Sequence, residues 1–147
     1  MVDLSNLTKD GKALFLAYDQ GMEHGPSDFN DENVDPNDIL AIATSGYFTG
    51  VIFQKGTAEK YYSNNNFEQH LPLILKLNGK TNLVNGEDPY SPQICSVSEA
   101  IEIGAAAVGY TIYVGSSHEP EMFKEFSLIE KEAHDKNIPV IGWMYIR

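Results

Sequence analysis

Residues 71–79 read Leu71-Pro72-Leu73-Ile74-Leu75-Lys76-Leu77-Asn78-Gly79, a short apolar run closed by turn-forming residues. Apolar and polar positions do not alternate along this run, which is typical of a strand buried on both faces of a parallel sheet. The chain contains other runs of the same kind, each 4–10 residues long, at residues 13–18, 50–53, 105–114 and 138–145. The sequence therefore predicts about five buried strands.

Helical signals separate these runs. Asp35-Pro36 is a capping residue followed by a helix-starting proline, and it leads into a predicted helix at residues 38–45. Shorter helices are predicted at residues 56–62 and, beginning at Ser98 and Glu99, at residues 99–103. Glu119-Pro120 opens the longest predicted helix. Strands and helices that alternate in this way favour right-handed β-α-β units and an α/β fold.

An open doubly wound sheet and a closed (β/α)8 barrel both accommodate that alternation. Residues 19–26 follow the first strand without a glycine-rich dinucleotide fingerprint, which disfavours the open sheet. Polar residues instead cluster where successive strands end, as expected for the catalytic face of a TIM barrel. These residues are Asp19, Gln54, Lys55, Lys76, Asn78, Tyr113, Trp143 and Tyr145. We therefore predict a TIM barrel.

The length limits how much of that barrel is present. A complete barrel takes about 250 residues, and the chain has 147. We interpret residues 1–147 as the N-terminal part of a single barrel domain that holds about five strands, with Arg147 as a truncation point.

Composition excludes several function classes. The chain has 10 basic and 21 acidic residues and a formal charge of -11, so it repels nucleic acid and anionic membrane surfaces. The only arginine is Arg147, so an anionic substrate has no guanidinium to bind it elsewhere in the chain. The single cysteine and the polar N-terminus favour a cytoplasmic protein.

Three residues at strand ends are candidates for chemistry. Trp143 and Tyr145 are two positions apart on one strand and point to the same side, which in a barrel is the interior. Asp19 ends the inward-facing row of the first strand, so a carboxylate and a phenol can meet over the barrel mouth. The alternative is that the two aromatics are core residues and that Asp19 only forms a turn.

Lys76 is a charge inside an apolar run, and two interpretations are open. A buried lysine with a depressed pKa is a nucleophile for carbonyl groups. A lysine near a strand end can instead reach solvent or pair with a carboxylate such as Asp19, which is the interpretation we favour. The four histidines lack the spacing of metal ligands, so we predict no metal site.

Residues 17–26, AYDQGMEHGP, resemble the first-strand signature of the archaeal-type class I fructose-bisphosphate aldolases, the DhnA-like branch of the DeoC-type Schiff-base aldolases. Further segments resemble the same family in the same order, so the resemblance covers nearly the whole chain. They are residues 51–56 with 58–62, 71–81, 107–113 and 142–145.

The resemblance implies a TIM barrel that reversibly cleaves fructose 1,6-bisphosphate into dihydroxyacetone phosphate and glyceraldehyde 3-phosphate, with no metal or other cofactor. Tyr145 would be the general acid/base, Asp19 would lie beside the Schiff-base lysine and the substrate hydroxyls, and Trp143 would shape the pocket. We assign Lys76 and Gln54 to substrate binding. The family's Schiff-base lysine would lie beyond residue 147, so we expect the chain alone to be inactive.

The sequence departs from the family pattern beside the reacting groups, with Gln20 where members usually have histidine and Ile146 where they usually have proline. Other functions stay open: a related aldolase, thiolase or transaldolase-like synthase acting on another phosphorylated keto-sugar, or a non-catalytic half-barrel subunit. The resemblance also implies a phosphorylated sugar as the small-molecule partner, a role in glycolysis or gluconeogenesis, and a homo-oligomer in the full-length form.

Overall fold

Five parallel strands form one sheet in the order β1-β2-β3-β4-β5. A computed structural model describes residues 2–63, 71–83 and 88–146. The strands are β1 Phe15–Tyr18, β2 Gly50–Gln54, β3 Leu73–Lys76, β4 Ala107–Val114 and β5 Val140–Ile146. Each predicted apolar run overlaps one of them, and β2 and β5 each extend one residue past the predicted run, so the predicted strands are confirmed. Arg147, where we predict a truncation, lies outside the described residues.

Helices connect the strands in the predicted alternation. They are α1 Gln20–His24, α2 Pro36–Ala43, α3 Lys55–Thr57, which continues as the π-helical turn Ala58–Tyr62, α4 Val97–Glu102 and α5 Glu119–Asp135. Short 3-10 turns occur at Ser5–Leu7 and Gly25–Asp28. Asp35 caps α2 by accepting a hydrogen bond from the Asn37 backbone N–H at 2.9 Å. The proline-led helix starts are confirmed at both α2 and α5.

Local structure differs from the sequence prediction at two helices. Residues 19–21 are not a turn, because Asp19 occupies the N-cap position of α1 and Gly21 lies inside that helix. The cap of α4 is Ser96, not Ser98, and its hydroxyl and Glu99 form a reciprocal capping box. The start of α1 is not evident from the sequence because the helix begins directly after β1, and the predicted start of α4 is two residues late, which is the usual uncertainty of a helix boundary.

The sheet has two different faces. Side chains on the outer face pack under the helices in the larger core, where Val51, Phe53, Leu73 and Leu75 are fully buried. Alternate residues on the inner face form a smaller cluster, with Ile52, Ile74 and Ala107 against Leu7 and with Trp143 packed beside them. Both faces of the central strands are therefore buried, which explains their unbroken apolar sequence.

Candidate active site

Lys76 lies at the carboxyl end of β3, on the inner face of the sheet. It is directly opposite Gln54 of β2 and Gly109 of β4 in the parallel register. Its side chain is only 5% exposed, although it carries a charge. The alternation of β3 explains this position, because Leu73 and Leu75 belong to the outer core and Ile74 and Lys76 point the other way.

Two carboxylates neutralise the buried ammonium. Lys76 Nζ donates to Asp19 Oδ2 at 2.8 Å and to Glu23 Oε1 at 2.5 Å. The carboxylates are four residues apart at the start and end of α1, so they lie on one face of that helix. The Asp19 side chain makes no capping hydrogen bond. Asp19 is therefore more than a turn-forming residue, and the predicted pairing of Lys76 with Asp19 is confirmed.

The protonation of Lys76 follows from this cluster. Burial acts to lower the pKa of Lys76, but the charges and hydrogen bonds of Asp19 and Glu23 outweigh it, so the pKa is raised above its ordinary value. The side chain therefore stays an ammonium at neutral pH. The structure therefore favours the pairing over the alternative of Lys76 as a nucleophilic free amine, because that alternative requires burial without nearby carboxylates.

Aromatic residues of β4 and β5 form the opposite side of the site. The Tyr113 hydroxyl donates to Glu23 Oε2 at 3.2 Å, and its ring stacks on Tyr145 with 5.9 Å between centroids. Trp143 lies on the inner face, with its ring centroid 6.0 Å from Lys76 Nζ. The Trp143 ring covers Gly109, where an added Cβ would lie 2.1 Å from ring atoms. Trp143 and Tyr145 thus share the predicted strand face.

Gln54 belongs to a buried polar network on the other side of Lys76. Its Nε2 donates to the Asn78 carbonyl at 3.2 Å, and its Oε1 has no hydrogen-bond partner among the described residues. Asn78 joins β3 to its neighbours, because its Nδ2 donates to the carbonyls of Ser91 and Thr111 and its Oδ1 accepts from the Thr111 N–H. Gln54 is thereby held in place rather than free to rotate.

Two cavities flank this group of residues. One, of about 320 Å³, is lined by Asp19 and Gln54 together with residues of α1 and α3. The other, of about 650 Å³, is lined by Glu23, Tyr113 and Tyr145 and by Lys80. Asp19 and Tyr145 therefore line different cavities. They are connected only indirectly: Asp19 and Glu23 both bind Lys76, Glu23 accepts a hydrogen bond from Tyr113, and Tyr113 stacks on Tyr145.

Glu23 belongs to the site but is not among the candidate residues predicted from the sequence. The spacing of four between Asp19 and Glu23 is the signal that could have found it, once residues 20–24 are recognised as a helix. Tyr113 was noted only as a polar strand-end residue, and its contact with Glu23 joins residues 90 positions apart.

The remaining reactive side chains lie apart from this site. His24 is the exception: it lines the larger cavity and pairs with Asp28 at 2.6 Å. His118 stacks on Tyr90, and His70 lies outside the described residues. In the parts of the chain that the structure describes, no three His, Cys, Asp or Glu residues are grouped closely enough to bind a metal ion. Burial raises the pKa of Cys95 to about 11, so the thiol is protonated at neutral pH.

Barrel enzymes carry their chemistry at the carboxyl ends of their parallel strands, and Lys76, Tyr113 and Tyr145 lie at those ends. The five parallel strands correspond to about half of a (β/α)8 barrel of the aldolase type. Residues 13–147 match the DeoC/LacD family aldolase model. The chain belongs to the DeoC/LacD aldolase family.

The chain is similar to members of this family in both sequence and structure. The chain is 52% identical over 139 residues to a class 1 fructose-bisphosphate aldolase of Thermoproteus tenax, and this alignment covers 93% of the chain and 51% of the relative. It is 42% identical to the class 1 fructose-bisphosphate aldolase of Halobacterium salinarum, with 97% of the chain and 54% of the relative covered. A crystal structure of an archaeal fructose 1,6-bisphosphate aldolase superposes with a TM-score of 0.89 at 49% identity, covering 98% of the chain and 56% of that structure.

The chain spans about half the length of the curated relatives it matches. None of the helices in the described residues combines the length and the apolar character that a membrane crossing requires.

Proposed function

We propose that the chain forms the first five β/α units of a class I, Schiff-base fructose-bisphosphate aldolase. The reaction would be reversible cleavage of fructose 1,6-bisphosphate into dihydroxyacetone phosphate and glyceraldehyde 3-phosphate. The observation that carries this proposal is the Lys76 ammonium between Asp19 and Glu23 at the mouth of the sheet, beside Trp143 and Tyr145. The names of the relatives at 52% and 42% identity support the same reaction.

Tyr145 is the general acid/base in this proposal. Its side chain is 54% exposed in the larger cavity, so substrate can reach the hydroxyl. Stacking on Tyr113 restricts the ring, since Tyr113 is itself bonded to Glu23. A phenol that is both accessible and oriented is suited to move a proton at one position of a bound substrate.

Asp19 and Lys76 act as a pair that orients substrate hydroxyl and carbonyl groups. Asp19 Oδ2 accepts one hydrogen bond from Lys76, so the carboxylate keeps further acceptor capacity for a hydroxyl. The Lys76 ammonium supplies positive charge close to the reacting carbons. Trp143 excludes water from the floor of the site, and Gln54 contacts substrate from the cavity it shares with Asp19.

The nucleophile of this reaction is a lysine outside residues 1–147. This assignment follows from the resemblance to the Schiff-base aldolases. Lys76 itself is bonded to two carboxylates and its pKa is raised, whereas a Schiff base requires a free amine. Residues 1–147 are then the N-terminal part of a single barrel domain, and they do not catalyse the cleavage alone.

The test uses the protein encoded by the complete reading frame that contains these residues. We expect it to cleave fructose 1,6-bisphosphate in the presence of EDTA and to be covalently trapped when borohydride is added with dihydroxyacetone phosphate. Tyr145→Phe should lower kcat by about a hundredfold or more, as loss of a general acid/base does. Tyr47→Phe is the matched control, because Tyr47 is 80% exposed.

Trapping without cleavage would overturn the choice of substrate but keep the Schiff-base chemistry. No trapping with any phosphorylated ketose would overturn the proposal. Cleavage by residues 1–147 alone would show that the nucleophile lies within them.

A related synthase is the second candidate function. The chain is 34% identical to a fructose-bisphosphate aldolase/6-deoxy-5-ketofructose 1-phosphate synthase of Methanocaldococcus jannaschii and 28% identical to a 2-amino-3,7-dideoxy-D-threo-hept-6-ulosonate synthase of Archaeoglobus fulgidus. These identities are lower than the 52% to the aldolase of Thermoproteus tenax, which favours fructose 1,6-bisphosphate as substrate.

The setting of the reaction is also part of the proposal. A cytoplasmic homo-oligomer that acts in glycolysis or gluconeogenesis fits the buried free thiol of Cys95 and the phosphorylated substrate. We expect sedimentation of the complete protein to give a mass larger than that of one chain.

A further inference from the structure

The larger cavity has a polar side that the catalytic proposal does not use. Tyr113 and Tyr145 form one wall, and Lys80, Ser27 and Asn82 form part of the other. Asn82 Nδ2 donates to the His24 carbonyl at 2.8 Å, which ties the segment after β3 to the segment after β1. The cavity is therefore lined by residues at or after the ends of four strands, β1, β3, β4 and β5.

Lys80 is the charged side chain of this cavity that has no ion-pair partner among the residues the structure describes. Glu23 is bonded to Lys76, and His24 is bonded to Asp28, which lies outside the cavity lining. Lys80 has no ion pair with a carboxylate among the described residues, and its ammonium lies 5.7 Å from the centroid of the Tyr113 ring. Glu23 also lines the cavity, but its two carboxylate oxygens accept hydrogen bonds from Lys76 and Tyr113, so the partly buried Lys80 ammonium can bind an anion there.

The backbone beneath Lys80 is held rigidly. The Leu77 N–H donates to the Gly109 carbonyl at 2.8 Å, and the Gly79 N–H donates to the Pro92 carbonyl at 3.3 Å. Asn78 between them is fully buried with both ends of its amide bonded. Because the stem starts from a fixed position and packs over an aromatic ring, less conformational entropy is lost when the ammonium binds a ligand.

We propose that Lys80 binds a phosphate group of the substrate and holds it in the cavity beside Tyr145. A lysine ammonium binds phosphate as a compact positive charge with three hydrogen-bond donors, so the planar guanidinium of an arginine is not required. Ser27 and Asn82 line the same space and can complete the set of polar contacts. This inference rests on the proposed function, because it assigns to one residue the recognition of the phosphorylated part of that substrate.

The test compares Lys80→Met and Lys80→Arg in the complete protein. Methionine keeps the length and the packing on Tyr113 but removes the charge, and arginine keeps the charge. We expect Lys80→Met to raise KM for fructose 1,6-bisphosphate and Kd for inorganic phosphate by about tenfold to a hundredfold, with kcat within about twofold. Lys80→Arg should restore most of the affinity. Lys124→Met, on the exposed surface of α5, removes the same charge and should change neither value.

Fructose 1-phosphate distinguishes the two phosphates of the substrate. If Lys80→Met leaves its KM unchanged, Lys80 binds the 6-phosphate; if KM rises equally for both sugars, Lys80 binds the 1-phosphate. A KM and a phosphate Kd within about twofold of wild type would overturn the inference, because the ammonium would then only pack on the ring.

Calorimetric titration of inorganic phosphate separates this inference from the proposed function. A wild-type protein that does not cleave the sugar overturns the function, yet loss of phosphate binding in Lys80→Met still supports the site. A wild-type protein that cleaves the sugar but binds phosphate equally with and without the Lys80 charge overturns only the inference.

Discussion

Replacing Lys76 with methionine should destabilise the fold more than any exposed lysine change. Methionine keeps the length of the stem and removes the ammonium, which leaves Asp19 and Glu23 close together without a counter-charge. Their side chains are 23% and 11% exposed, and that of Lys76 is 5% exposed. Removing one partner of a buried ion pair costs about 3–5 kcal/mol, and the partial exposure of Asp19 places the loss near the lower end, at about 3 kcal/mol.

Two further proteins isolate the cause of that loss. In Asp19→Asn/Glu23→Gln/Lys76→Met all three charges are absent, and we expect stability to return to within about 1 kcal/mol of wild type, because a neutral buried group can replace an ion cluster. Lys131→Met is the matched control. Lys131 pairs with Asp135 at 2.5 Å, but the side chains are 74% and 65% exposed, so the loss should stay below about 0.5 kcal/mol.

Urea unfolding, followed by circular dichroism and by the fluorescence of Trp143, the single tryptophan, measures these differences. With a slope of about 2 kcal/mol per molar urea, a loss of about 3 kcal/mol lowers the midpoint by about 1.5 M. A Lys76→Met loss no larger than that of Lys131→Met would refute the reasoning. So would a triple variant as unstable as the single one.

Alkaline pH gives an independent check on Lys76. The folded-state pKa of Lys76 is raised above the ordinary value of 10.5, so its contribution is fully present below that value and is lost as pH rises through the higher folded pKa. The difference in stability between wild type and Lys76→Met should therefore be constant at neutral pH and shrink above about pH 10.5.

Three other predictions concern packing, reactivity and acid stability. Gly109→Ala places a Cβ 2.1 Å from the Trp143 ring and should cost about 1–3 kcal/mol and shift the tryptophan emission, whereas Gly56→Ala, with no atom within 4 Å, should do neither. Cys95, with its pKa raised to about 11 mainly by burial, should not react with Ellman's reagent at pH 8 until urea unfolds the chain; rapid labelling of folded protein would contradict its burial. The hydrogen bond from Lys55 holds the pKa of Glu99 at about 2 instead of 4.5, so stability present above pH 4.5 is lost as pH falls towards 2, and Glu99→Gln should flatten this decline in Tm.

The sequence alone predicted most of the fold. Unbroken apolar runs closed by turn residues located β1 to β5, and Asp35-Pro36 and Glu119-Pro120 located the starts of α2 and α5. These signals are local, since burial on both faces and helix capping depend on residues within a few positions. The motif in residues 17–26 pointed to the family, which the match over residues 13–147 confirms.

The composition of the candidate site was predictable only in part. Asp19, Lys76, Trp143 and Tyr145 were found because each lies where a strand ends or on its inner face. Glu23 was missed because its role depends on the five-residue helix α1, which is too short to give an apolar period.

Only the tertiary structure decided the charge state of Lys76 and the route from Asp19 to Tyr145. Burial and nearby carboxylates shift the pKa of a lysine in opposite directions, and the sequence gives no measure of either. The outcome depends on contacts of Lys76 with residues 57 and 53 positions away and on a hydrogen bond from Tyr113 across 90 positions. Such contacts exist only after the parallel strands have been brought side by side, because electrostatic interactions depend on distance in space and not on separation along the chain.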